Sequence, residues 1–139
     1  MADGKVDWRK NDVIAVIEGA TDEALAAMAF EIEGLTKINV QGNGQIDTGF
    51  MLNSVYATTP TASSVGASSG TYTDRTGRSV ERTAAAPISA QAGEAAVHVA
   101  AEYAVFQEVK KPFLYPALND VAGRADAIME PVYRDRVGE

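Results

Sequence analysis

The chain has 139 residues, 46% hydrophobic and 22% charged, which suits one ordinary globular domain. The absence of cysteine excludes disulfides, thiolate metal sites and cysteine nucleophiles, and a single histidine argues against a conventional zinc or triad site. A net charge of −7 disfavours nonspecific nucleic-acid binding by the surface as a whole, and the longest apolar run, Ala24 to Phe30, falls far short of the ~20 residues that cross a bilayer.

Residues 1–10 are polar apart from Val6 and Trp8 and read as an N-terminal arm. They lack the apolar core of a signal peptide, so a soluble intracellular product is expected. Residues 11–37 predict a long helix, capped by Asn11 or Asp12. Ile14, Ile17, Thr21, Leu25, Met28, Ile32 and Leu35 recur at spacings of three and four and form one apolar stripe. Such a helix is about 40 Å long, which is long for a small domain. Gln41-Gly42-Asn43-Gly44 ends it in a turn.

Asp47-Thr48 then predicts a helix cap ahead of a short turn through Phe50, Met51 and Leu52. Ser54 to Thr59 alternates and predicts a strand closed by Pro60. Residues 61–92 are rich in Ser, Thr, Ala and Gly without sustained periodicity, the pattern of an extended loop. Within them Thr71-Tyr72-Thr73 and Ser79 to Thr83 alternate, which allows a long β-hairpin with Gly77 in its turn. Ala95 to Ala100 predicts a strand, and Tyr103 to Val109 a further strand or short helix broken by Pro112. Pro116 fits the first turn of a C-terminal helix, where its missing N–H costs nothing. Leu118, Val121, Ala125, Ile128 and Met129 keep helical spacing up to Pro131, and residues 132–139 read as a charged tail. The expected architecture is α+β: an N-terminal and a C-terminal helix on a small antiparallel sheet, within one domain over residues 11–131.

Asp47-Thr48-Gly49 carries two readings. The triplet matches the core of retroviral-type aspartic proteases, small dimers whose two carboxylates share a proton. Those enzymes need it after a buried apolar strand and before a small residue. Here Gly42-Asn43-Gly44-Gln45-Ile46 precedes it and Phe50 follows, which favours a structural cap. His98 lies mid-strand with Ala96 and Ala100 on its face, and no carboxylate or serine stands at a catalytic spacing. Gly42-Asn43-Gly44 lacks the preceding strand and following Gly-Lys-Ser/Thr of a phosphate cradle. Arg75, Arg78 and Arg82 suit either a solvated loop or contact with phosphates or an acidic partner. No catalytic residue, metal ligand or cofactor-binding residue is expected.

In order along the chain, the motifs resemble the neck or tail-completion (head–tail connector) proteins of lambda-like tailed phages. Those proteins open on a long alanine-rich helix and continue with an Asp-Thr-Gly-x-Leu-x-x-Ser-hydrophobic segment, here Asp47-Thr48-Gly49-Phe50-Met51-Leu52-Asn53-Ser54-Val55. Tyr-Ala and a glutamate follow, here Tyr103-Ala104 and Glu108. Pro-Phe-x-x-Pro-Ala then leads into the last helix, here Pro112-Phe113-Leu114-Tyr115-Pro116-Ala117. The resemblance covers about residues 11–130; it departs at Val109-Lys110-Lys111, where the family has Gly-Thr and a longer loop, and leaves 61–92 unmatched.

The resemblance implies a structural virion protein without catalysis, forming a hexameric or dodecameric ring at the head–tail interface. Its partners would be other neck proteins, the portal or adaptor side, and tail-tube or tail-terminator proteins. DNA would pass through an acidic lumen without specific binding, and no membrane is involved. A tail terminator or a minor capsid protein is the alternative virion part. In this reading Phe113 plugs the core, Pro112 and Pro116 direct the last helix, and Tyr103 and Phe106 supply large packing groups. Trp8, Tyr72, Arg75, Arg78 and Arg82 are the expected interface residues.

Overall fold

The structure, a computed structural model, describes residues 10–137, with side chains from 18 to 136. The expected arm and its Trp8 therefore lie outside the described residues, as do the side chains of Ile14 and Ile17. Helix α1 spans Lys10–Gly42, 33 residues and about 50 Å of axis. It outruns the predicted end at residue 37 because Val40 prolongs its buried row. That row is Ala20, Ala24, Ile32, Thr36 and Val40, spaced in multiples of four, with Ala29 beside it. The larger residues of the predicted stripe, Leu25, Met28 and Leu35, sit on its flank and are half-buried. Alanines on the inner line let other helices approach closely, and the bulkier side chains fill the margins.

Helix α2 (Phe50–Asn53) leads into strand β1 (Val55–Thr58), all four residues of which are buried. Strands β2 (Gly70–Thr73) and β3 (Ser79–Arg82) form the hairpin, with Gly77 at φ 86° in its turn. The Asp74 carboxylate stabilises that turn by accepting from the Thr76 and Arg78 amides, each at 2.9 Å. Strand β4 (Ala96–Val99) pairs antiparallel with β1, with Val55 opposite Val99 and Tyr56 opposite His98. Helices α3 (Ala104–Lys110), α4 (Leu114–Gly123) and α5 (Ala125–Val137) complete the chain.

The fold is α+β, with its strands in two separate antiparallel pairs, β1–β4 and β2–β3. Helices α4 and α5 run back along α1. Asn39 Nδ2 donates to the Phe113 carbonyl at 3.0 Å, Arg124 pairs with Glu31 at 2.5 Å, and Arg136 pairs with Glu23 at 2.6 Å. Among the described residues the core clusters are Val40–Phe50–Met51–Ala101–Ala104–Phe113 and Ile32–Ala117–Val121, and Leu114 packs against both.

Two expectations are corrected here. The charged tail predicted at 132–139 is helical as far as Val137, because α5 continues through Pro131. Proline inside a helix costs a hydrogen bond and a steric clash. Tertiary contact offsets that cost: the Tyr133 and Thr21 hydroxyls bond at 2.6 Å, and Arg136 reaches Glu23 one turn on. The segment 61–92 is also more than a loop with a hairpin. Its first part covers the free edge of β1, where Ser64 N–H donates to the Ala57 carbonyl at 2.9 Å and Ala67 N–H to the Asn53 carbonyl at 2.7 Å. Gly66 is required there, since a Cβ would lie 2.9 Å from the Tyr56 ring. Its last part pairs with residues 100–102, through Ala85 N–H to the Ala100 carbonyl at 2.6 Å. The Ile88 N–H donates to the Tyr56 hydroxyl, which lies 2.9 Å from His98 Nδ1.

Glu33 ties α1 to this edge. Its carboxylate accepts from Ser64 Oγ at 2.5 Å, Ala57 N–H at 3.1 Å and Lys37 Nζ at 2.9 Å, and its side chain is only 13% exposed. Burial pushes its pKa up, but the bonds from Ser64, Lys37 and Ala57 outweigh burial and hold the net value below the usual glutamate range. A folded pKa below the unfolded one stabilises above the unfolded value, and that stability is lost as pH falls through the folded value. Acid unfolding of the native chain should therefore steepen below roughly pH 4.3. In Glu33→Gln the stability difference from native should be clear at neutral pH and vanish in acid; a pH-independent difference would refute the assignment.

Candidate functional site

The two motif segments, far apart in the chain, meet at the C-terminal end of α1. Asn43 Nδ2 donates to the Pro112 carbonyl at 3.0 Å. Gln45 Nε2 donates to the carbonyls of Gln107 at 3.2 Å and Lys111 at 3.1 Å, and Lys111 Nζ returns to the Asn43 carbonyl at 3.2 Å. These bonds clamp the loop between α3 and α4 onto the turn after α1. Neither Asn43 nor Gln45 stood out in the sequence as more than turn residues. Their amide side chains, each able to donate twice beside a glycine turn, were the available signal.

Glu108 is the hinge pin of the junction. One carboxylate oxygen accepts the Phe113 and Leu114 amides at 2.7 and 3.1 Å, and the other accepts the Tyr115 amide at 2.8 Å. These are orphan donors at the start of α4, so a side chain on α3 caps the next helix and sets the angle between them. Pro116 follows within the first turn of α4, as expected. Phe113 is buried, as expected of the core plug. Phe106 is not the packing group predicted; it is 70% exposed. Only Ala104 of α3 is buried, and the turn of the helix carries Val105, Phe106 and Val109 outward.

Asp47 is not the cap of α2. The N-cap is Gly49 at φ 79°, and the Phe50 amide donates instead to Thr48 Oγ1 at 3.1 Å. Ser54 Oγ closes the same helix on the Phe50 carbonyl at 2.5 Å. Asp47 turns the other way, toward the hairpin. It accepts the Arg75 amide at 3.1 Å and pairs with the guanidinium groups of Arg75 at 3.6 Å and Arg82 at 3.7 Å. Arg82 also lies over the Tyr103 ring, 5.4 Å from its centroid. Burial raises the Tyr103 hydroxyl above its usual range against the opposing pull of Arg82.

The hairpin, the Asp47 loop and the start of α3 thus enclose an open cavity of about 730 Å³, with Arg75, Arg82, Lys110 and Lys111 on its walls against Asp47 and Glu102. No protein-family model, curated protein or solved structure matches this chain. Of the expected interface residues, Tyr72 packs its ring 4.9 Å from that of Phe50 and bonds the Ser68 carbonyl, so its contacts are within the chain. Arg75 and Arg82 are held by Asp47, while the Arg78 side chain is exposed at the hairpin tip. His98 is half-buried against Tyr56. Among the described residues no cluster of His, Asp or Glu has metal-site geometry, and no helix is long and apolar enough to cross a membrane.

Proposed function

We propose that the chain is a structural protein of the tailed-phage neck, building a ring that joins the portal or adaptor side of the head to the tail. One observation carries the reading. The segments that resemble the neck family, Asp47 to Val55 and Tyr103 to Ala117, pack together in one core cluster through Phe50, Met51, Ala104 and Phe113, and the motif residues around it make structural contacts. Glu108 caps α4, Ser54 closes α2, Thr48 bonds the Phe50 amide, Asp47 anchors the hairpin, and Phe113 fills the core. Asp47 is engaged by two arginines, the opposite of the close carboxylate pairing by which a protease dyad holds a shared proton. The net charge of −7 suits a lumen through which DNA slides without adhering.

The test has two arms. Native mass measurement of the purified chain should give a closed homo-oligomer, and imaging of intact particles should place it at the head–tail interface. A strictly monomeric chain absent from purified virions would overturn the proposal, and density at the tail tip or capsid shell would reassign it to another virion part. Asp47→Asn separates the protease reading. The variant should lose no more than about 1 kcal/mol, since its ion pairs are half-exposed. Peptide cleavage by the native chain that disappears in Asp47→Asn would sink the structural reading.

A further inference from the structure

Besides scattered residues such as Phe30, Ile38, Val65 and Tyr115, the exposed apolar surface holds a ridge and a groove. The ridge is the outer face of α3, where Val105, Phe106 and Val109 are 70%, 70% and 80% exposed. Its base is fixed, because Glu108 on the inner side of the same helix is bonded to the start of α4. The groove is an open cavity of about 430 Å³ between α1, β4 and α4, walled by Leu25, Met28, Ile32, Val97, Leu118 and Val121. Among the described residues no charged side chain lines it. A volume of that size accommodates a phenyl ring and two isopropyl groups.

Ridge and groove of one chain do not meet. Helix α3 is tied through Gln45 to the C-terminal end of α1, whereas the groove lies over Leu25 to Ile32. The groove wall nearest α3 is Leu114 at the start of α4, yet Val105, Phe106 and Val109 stand out in solvent and do not enter the groove of their own chain. Their charges also complement each other. The ridge ends in the exposed pair Lys110 and Lys111. One to two turns beyond Leu25 along α1, Asp22 and Glu18 wall a second cavity, and Glu94 follows its wall residue Gly93 in the chain.

We infer that the groove takes the α3 ridge of a second copy of this chain. Each copy then gives its ridge to one neighbour and its groove to the other, a head-to-tail contact that closes into a ring or runs on as a filament. The inference rests on the ring reading above and assigns the surfaces that build it. Three side chains cover less than the ~800 Å² per partner of a typical stable interface. A single contact is therefore weak, and closure of the ring supplies the remaining affinity.

Phe106→Asp spoils the ridge and Leu118→Asp spoils the groove, and both positions are exposed enough to leave the fold intact, which circular dichroism checks. Sedimentation should show concentration-dependent oligomers for the native chain and monomers for each variant alone. An equimolar mixture of the two variants retains one good ridge and one good groove per pair. At millimolar concentration, where one weak contact is populated, it should give a dimer and nothing larger. Native-like assembly by either variant overturns the inference, as does a mixture without dimer, or a native chain that is monomeric, at millimolar concentration. So does capture of a purified neck neighbour by the groove in place of self-association. Rings on particles that survive both substitutions would leave the neck reading standing without this contact. A mixed dimer from a chain absent from virions would do the reverse.

Discussion

Phe113→Ala is expected to lower the unfolding free energy by about 3–5 kcal/mol, the usual result of deleting a buried phenyl ring. The side chain is 1% exposed and sits in the cluster that joins Val40 of α1, Phe50 and Met51 of α2, and Ala101 and Ala104. Three of its neighbours are small or rigidly placed, so the cavity has little with which to collapse. The chain has only four phenylalanines, and Phe50 and Phe113 are the two that are fully buried. Against a typical domain stability of roughly 5–15 kcal/mol, such a loss leaves a marginal fold. Phe113→Leu keeps much of the volume and should cost less than about 1.5 kcal/mol. Urea unfolding monitored by circular dichroism measures both. Near-equal midpoints for native chain and Phe113→Ala would mean that Phe113 is not the plug between α1 and α4.

Glu108→Ala should cost about 2–3 kcal/mol, more than an ordinary cap, because one carboxylate accepts three backbone amides. Its half-exposed position keeps the value below that of a fully buried charged bond. Glu108→Gln retains one acceptor oxygen and loses the charge facing the helix start, so it should recover about half of the loss. Amide exchange gives a specific readout: protection should fall at Phe113, Leu114 and Tyr115 in Glu108→Ala before it falls in α1. Uniform loss of protection along the chain would show a general destabilisation with no special role for Glu108 at the start of α4.

Both substitutions act on the same junction from opposite sides. Phe113 holds α4 to the core by volume, and Glu108 fixes its entry by directed bonds. The junction also presents the α3 ridge, so under the proposed contact loosening it should weaken self-association without touching a ridge residue. This links stability to assembly in a way that Phe106→Asp, an exposed change, does not.

The long helix, the hairpin with Gly77 in its turn, the short turn at Phe50 and the start of α4 near Pro116 were legible in the residues. Each depends on local chemistry: periodicity over many turns, a glycine where φ is positive, or a proline where its missing N–H is harmless. The α+β class follows from the order of these elements. The burial of Phe113 was legible as well, because an aromatic between two prolines at a helix entrance has few other places to go.

Other features depended on which surfaces come together. Asp47 has the composition of a helix cap, yet two arginines from the hairpin lie close enough to claim it, and Gly49 takes the cap position. Phe106 has the side chain of a core residue, yet the short α3 lies on the domain with Ala104 inward and leaves Phe106 in solvent. Pro131 marks a local end to helix, yet contacts from Tyr133 and Arg136 to α1 carry α5 through it. The sequence by itself determined the long helix, the hairpin and the turns that its glycines permit, since those are set by neighbours a few residues away. Only the tertiary structure decided the partners of Asp47, the outward face of α3 and the length of α5, because each turns on groups 28 to more than 100 residues apart.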